Sequence, residues 1–197
     1  MKTIMKTTHT VYIDQKKVVV DGTPLSIAGS DHQMLKDLYR ERVGHYSKFY
    51  KMDLLCQLGF LASELLLQAE GGRMLADDGC VAAEQRRTDR AVILFSKSGS
   101  SVNDQDYYAT ISREDDYFPS PSCFIYTLPN IVTGEICIRN RYMGESNMIL
   151  LPAEDDGMMQ QALEASFLDP ETGSMLTGWI DCHDDQHFMA SLRIVEK

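Results

Sequence analysis

One segment of the sequence is apolar around its whole circumference. Between residues 51 and 69, apolar and small side chains recur at three- and four-residue spacing, which predicts a helix with a buried face. A second face of the same helix is filled by four leucines: Leu54, Leu58, Leu61 and Leu65. Because such a helix must be covered on more than one side, we expect the rest of the chain to pack around it.

Short apolar runs elsewhere in the chain predict strands. The run RAVILFS at residues 90–96 suits an interior strand covered on both faces, and residues 148–151 form a second short run. Residues 10–20 alternate loosely and predict one or two strands. Residues 174–182 and 188–195 alternate on either side of a polar turn, which predicts a closing hairpin. Helices are predicted near 31–42, 122–131 and 155–168, and Asn103 or Asp104 can cap a further helix after the 90–96 strand. The pattern predicts an α/β fold with a mixed sheet.

The length and charge of the chain restrict its function. A length of 197 residues suits one domain, 1–197, and the formal charge of −10 disfavours binding to nucleic acid or to an anionic membrane. No apolar stretch approaches the roughly 20 residues that span a bilayer. Five cysteines at scattered positions form no C-x-x-C pair. We therefore expect a reduced, cytoplasmic protein without membrane insertion.

Several segments, in order along the chain, resemble one known family. Three of them are the start of the long helix (51–53), the loop after the 90–96 strand with the segment that follows it (98–108), and the S-P-x-x-F stretch with its later Asn (120–130). The other two, residues 134–138 and 143–145, lead up to the strand at 148–151. Together they resemble the N-terminal half of β-ketoacyl synthases, the condensing enzymes with a thiolase-like fold. The resemblance implies a thiolase-like half in which a mixed, mainly parallel five-stranded sheet carries helices on both faces and closes with a β-hairpin.

The position of the family's nucleophile is the main departure from the resemblance. In the family a cysteine lies between a strand and the next helix, where backbone N–H groups and the helix dipole lower the thiol pKa. Here that turn contains Ala153, Glu154 and Asp155, with no Cys, Ser or Thr, and its acidic residues would raise a thiol pKa. The family's second half, which supplies two histidines and a lysine, has no counterpart in the sequence. We expect no catalytic residue and no cofactor.

The same strand implies an interface. In the family the nucleophile strand joins two sheets across a two-fold axis, and the corresponding surface would include Met143, Met148, Ile149 and Leu150. The resemblance implies a homodimer, or a heterodimer with a full-length ketosynthase, with an acyl carrier protein as a further partner. The expected function is that of a non-catalytic accessory protein in fatty-acid, polyketide or polyene biosynthesis.

Other functions and sites stay open at this point. The chain could be a small acyl-thioester transferase or hydrolase with an unidentified site, or a module that binds an acyl chain or an acyl carrier. His183 and His187, with Cys182, are candidate metal ligands, although a polar hairpin turn explains them better. Residues 96–101 could cradle a phosphate but lack the glycine and lysine pattern of such loops. Residues 114–116 could pair carboxylates, although a surface loop explains them better.

Overall fold

The computed structural model describes residues 5–112, 115 and 117–197. The strands are β1 Lys6–Asp14, β2 Lys17–Val20, β3 Thr23–Leu25, β4 Arg90–Ser96, β5 Ser146–Leu150, β6 Ser174–Asp184 and β7 His187–Glu196. The α-helices are α1 His32–Arg42, α2 Leu54–Glu70, α3 Ser101–Ala109, α4 Pro121–Ile125, α5 Ile131–Asn140 and α6 Asp156–Ser166. The candidate carboxylates Glu114 and Asp116 lie outside the described residues.

The seven strands form one sheet in the order β3-β2-β1-β7-β6-β4-β5. Only the pairs that β4 makes with β5 and β6 are parallel, and every other pair in this sheet is antiparallel. The expectation of five mainly parallel strands is therefore wrong. The error lies in the N-terminal segment, which forms the three antiparallel strands β1, β2 and β3. This meander extends the sheet because β1 pairs with β7 of the closing hairpin. The overall class, a mixed α/β sheet closed by a hairpin, is confirmed.

The apolar helix is α2, and it lies at the centre of the fold. Asp53 caps it, accepting a hydrogen bond from the Cys56 backbone N–H at 3.1 Å. All residues from Leu54 to Leu67 are buried. The helix also packs closely against α5, because a Cβ added at Gly59 would overlap the Val132 side chain. The sequence prediction of a helix covered on several sides is confirmed.

Helices cover both faces of the sheet. On one face, α1, α2 and α5 share a core with the inward residues of β1, β4, β6 and β7. On the other face, α6 packs the side chains of Met159, Leu163 and Phe167 against β4 and β6. Burial on both sides explains why every residue of β4 is buried and why its sequence is one continuous apolar run.

Two helical segments differ from the sequence prediction. The helix expected over residues 122–131 is two helices, α4 and α5, and Pro129 lies in the segment between them. The helix after β4 has Ser100 at its N-cap instead of Asn103 or Asp104. Asn103 lies within α3, and its side chain donates to the Cys123 backbone carbonyl at 2.8 Å. This contact ties α3 to α4.

Candidate functional site

The turn between β5 and α6 is the place where the resemblance leads us to expect a nucleophile. Leu151 continues the strand, because its N–H donates to the Ser96 carbonyl at 2.9 Å. Asp155 then accepts a hydrogen bond from the Met158 N–H at 3.0 Å and caps α6. Ala153 and Glu154 are exposed. The acidic side chains of this turn thus complement the N-terminal end of the helix dipole, which is worth about 0.3–1 kcal/mol each.

The cysteines lie in environments that suppress thiolate formation. All five are free thiols, and burial raises the pKa of each one: Cys56, Cys80, Cys123, Cys137 and Cys182. The pKa of Cys182 is raised to about 12, first by burial and then by neighbouring carboxylates. Because the thiolate is the nucleophile, thiols with raised pKa values are poor ones at neutral pH.

The serine loop after β4 is held by a carboxylate. Asp181 Oδ1 on β6 accepts hydrogen bonds from the Ser98 N–H at 2.7 Å and the Ser98 hydroxyl at 2.5 Å. The same hydroxyl accepts from the Cys182 N–H at 3.0 Å. Burial disfavours the carboxylate of Asp181, but these hydrogen bonds outweigh it and lower its pKa. These contacts anchor the loop to the sheet, and the Ser98 hydroxyl is hydrogen-bonded both as donor and as acceptor.

The three metal-ligand candidates do not converge. Cys182 is buried in the core, whereas His183 and His187 are exposed on the hairpin. Adjacent strand residues point to opposite faces, so Cys182 and His183 diverge. His187 Nδ1 lies 2.8 Å from Asp184 Oδ2, and His183 Nε2 lies 3.3 Å from Asp181 Oδ2. Within the described ranges, no group of three or more His, Cys, Asp or Glu residues could hold a metal ion.

Among the described residues, no strand pairs with the outer edge of β5. This strand pairs with β4 on one side and ends the sheet on the other. Its sequence, SNMIL, contains no charge and no proline. The opposite edge strand, β3, has three residues with Pro24 at its centre, a common way to block further pairing. The two edges therefore differ in their capacity to accept another strand.

Exposed and half-buried apolar side chains lie on β5 and in the segment before it. Leu150 is 52% exposed and Met143 67% exposed, while Met148 and Ile149 are half-buried. Three further apolar residues, on α4 and just after it, are about half exposed: Phe124, Ile125 and Leu128. We refer to the four residues on β5 and before it, Met143, Met148, Ile149 and Leu150, as the β5 edge surface.

The exposed apolar residues Phe124, Ile125 and Leu128 were missed by sequence reasoning. The sequence pattern predicts one continuous helix over residues 122–131, whereas α4 ends at Ile125. The signal was present in Pro129, which disfavours the α-helical conformation of the residue before it. The structure also brings the segment between the helices to β5, because Leu150 and Pro129 both lie within 3.5 Å of a Cβ built at Gly99.

In the part of the chain that is described, no helix combines the length and apolar character needed to cross a membrane.

Comparison with known proteins identifies the fold. No protein-family model matches the sequence, and no curated protein is significantly similar to it. Solved structures do match: the ishigamide ketosynthase/chain length factor aligns with a TM-score of 0.70 and 13% identity over 99% of this chain. The chain spans 62% of the length of that protein chain.

Two further structures extend this result. A ketosynthase (ApeO) in complex with its chain length factor (ApeC) from Xenorhabdus doucetiae aligns with a TM-score of 0.61 and 12% identity, over 100% of this chain and 80% of that chain. Ketosynthase twelve from the bacillaene polyketide synthase of Bacillus amyloliquefaciens aligns with a TM-score of 0.55 and 10% identity, over 98% of this chain and 41% of that chain. The chain therefore has the thiolase-like fold of ketosynthases and chain length factors.

Proposed function

We propose that this chain is a non-catalytic, ketosynthase-like accessory protein that associates with a full-length condensing enzyme in fatty-acid, polyketide or polyene biosynthesis. The observation that carries the proposal is the turn between β5 and α6. In this fold the turn is where strand and helix present backbone N–H groups to a nucleophile, and here Ala153, Glu154 and Asp155 occupy it.

The chemistry of the turn supports a role without turnover. A nucleophile at a helix N-terminus depends on a positive local potential, which Glu154, Asp155 and Asp156 oppose. The thiols elsewhere in the chain have raised pKa values and lie in other elements. The Ser98 hydroxyl donates to Asp181 and accepts from the Cys182 N–H, so it is already hydrogen-bonded both as donor and as acceptor.

The β5 edge surface supports a role in association. An unpaired strand without charge or proline is an available template for another strand, and its half-exposed apolar side chains gain from burial by a partner. Two of the solved structures with this fold are a ketosynthase/chain length factor and a ketosynthase bound to its chain length factor. A ketosynthase-like protein that pairs through β5 is therefore the partner we propose.

The proposal is tested by the mass of the native assembly. The chain is purified alone and together with a full-length ketosynthase from the same source, and each sample is measured by light scattering and native mass spectrometry. We expect a one-to-one complex, and we expect acyl-thioester turnover only when the ketosynthase is present. A stable monomer that does not bind the ketosynthase would contradict the proposal. Turnover by the chain alone, lost when one of its residues is replaced, would favour the transferase or hydrolase alternative.

A further inference from the structure

A second surface feature lies at the opposite end of β5 from the turn that carries Asp155. It is a cavity of about 490 Å³, which falls within the usual range for small-molecule sites. It lies where the C-terminal end of α5 meets the segment that leads into β5. Its lining residues are Ala83, Arg86, Cys137, Ile138, Arg141, Tyr142 and Met143.

Most of this lining is apolar and open to solvent. Ile138 is 51% exposed and Met143 is 67% exposed, whereas Tyr142 is buried. The Cys137 thiol is half-buried, and burial raises its pKa, so at neutral pH it contributes an uncharged wall. An aliphatic chain that covers these side chains would bury apolar area, and each Å² buried is worth about 25 cal/mol of binding free energy.

The charged groups at the cavity are all cationic. Arg86 is exposed, and within the described residues its guanidinium has no hydrogen bond or ion pair. Arg141 is held in place, because its Nε donates to the Val81 carbonyl at 2.5 Å and its Nη2 lies 3.1 Å from Asp78 Oδ2. No carboxylate is found among the described residues that line the cavity, although the chain as a whole carries a formal charge of −10.

We propose that this cavity binds an amphiphilic anion: a single aliphatic chain held against Ile138 and Met143, with a carboxylate or phosphate head group on Arg86 and Arg141. A guanidinium binds both kinds of head group through charge-assisted hydrogen bonds. A neutral ligand would leave Arg86 unpaired, and a cationic ligand would be repelled. The inference does not rest on the proposed accessory function, although Met143 belongs both to the cavity and to the β5 edge surface.

The binding of decanoate and decyl phosphate to the intact protein tests this inference by isothermal titration calorimetry. Decanol and decyltrimethylammonium carry the same chain without the negative charge. Arg86→Ser removes the unpaired cation, and Ala83→Trp fills the cavity while all charges are kept. Arg40→Ser is the matched control, since Arg40 is an exposed arginine on α1 that pairs with Asp37. Circular dichroism confirms that each variant is folded.

We expect at least one of the two anions to bind with a one-to-one stoichiometry, and the neutral and cationic chains to bind at least tenfold more weakly. Arg86→Ser and Ala83→Trp should each weaken binding of the anion about tenfold, and Arg40→Ser should leave it unchanged. Preference for decanoate would indicate a fatty acid, and preference for decyl phosphate a phosphorylated lipid. Equal binding of decyltrimethylammonium, unchanged binding by Arg86→Ser, or no binding of either anion would overturn the inference.

Discussion

Arg139 and Glu64 form an ion pair in the centre of the protein. The Nε and Nη2 atoms of Arg139 donate to Glu64 Oε2 at 3.3 and 3.1 Å, and both side chains are almost completely inaccessible to solvent. Arg73 Nη1 donates to the other carboxylate oxygen of Glu64 at 2.8 Å. The pair joins α5 to α2, so the two central helices are held by charge as well as by apolar packing.

Removing the negative charge of this pair should destabilise the protein. Glu64→Gln keeps the shape of the side chain but leaves Arg139 buried without a counter-charge, and Arg73 loses its carboxylate partner. Breaking a buried pair by removing one partner costs about 3–5 kcal/mol. We expect a loss of that order in the free energy of unfolding, measured by urea denaturation.

The matched control for this prediction is Glu171→Gln, the same substitution at an exposed position. It should change the free energy of unfolding by less than about 0.5 kcal/mol. If Glu64→Gln is as stable as this control, the ion pair does not hold α2 to α5.

Local pattern was sufficient to predict part of this fold. The α2 helix, the β4 strand and the closing hairpin were found because burial imposes a period or a continuous apolar run on each of them. The pairing of Arg139 with Glu64 was not found, because 75 residues separate the partners. Likewise, the alternation of residues 10–20 does not reveal that β1 pairs with β7, since that pairing joins the two ends of the chain.

The candidate site was predicted to a similar extent. The sequence pattern placed Ala153, Glu154 and Asp155 between a strand and a helix, and the structure has them there. That this turn corresponds to the family's nucleophile position stays a prediction. That β5 is an edge strand could not be read from its sequence, because a short apolar run is equally typical of an interior strand. Edge position follows from the order of all seven strands, which depends on long-range pairing.

A lysine on the β5 edge should prevent association with a partner. Asn147 is exposed near the start of the strand, and its side-chain amide donates a hydrogen bond to Glu145 at 3.1 Å. Lysine at an edge position opposes the approach of another strand. We expect Asn147→Lys to fold normally and to weaken the complex with a ketosynthase at least tenfold, measured by native mass spectrometry at several concentrations.

Thr23→Lys is the control for the edge experiment, because it places the same charge on the other edge strand, β3. It should leave the affinity for the ketosynthase unchanged. Equal weakening by both variants would indicate a general effect of charge and would contradict pairing through β5.

The cysteines should react slowly with alkylating agents. Burial raises the pKa of every thiol in the chain, including Cys123, which lies in the short helix α4. Each unit by which a pKa rises lowers the thiolate population about tenfold at neutral pH. We expect iodoacetamide at pH 7.5 to modify all five cysteines more slowly than free glutathione, measured site by site by mass spectrometry. One cysteine that reacts faster than glutathione would indicate an activated nucleophile and contradict the non-catalytic proposal.

The N-cap of α2 should make stability depend on pH. Burial raises the pKa of Asp53 to about 6; hydrogen bonds from backbone N–H groups oppose this rise, and Asp104 adds to it. The folded state therefore binds a proton more tightly than the unfolded chain. The stabilisation from this proton is complete below the unfolded pKa, near 4, and is lost as the pH rises through 6. At pH 7.5 the charged side chain costs on the order of 2–3 kcal/mol relative to its protonated form.

Asp53→Asn isolates this contribution, because asparagine caps a helix as well as aspartate does and does not titrate. The free energy of unfolding of wild type and variant is measured by urea denaturation between pH 4 and 7.5. We expect the free energy of unfolding of the variant, relative to that of wild type, to increase as the pH rises, by up to about 2–3 kcal/mol above pH 6. Asp155→Asn, the same substitution at the exposed N-cap of α6, is the matched control. A difference that stays flat with pH, or that the control reproduces, would show that burial of Asp53 does not govern its titration.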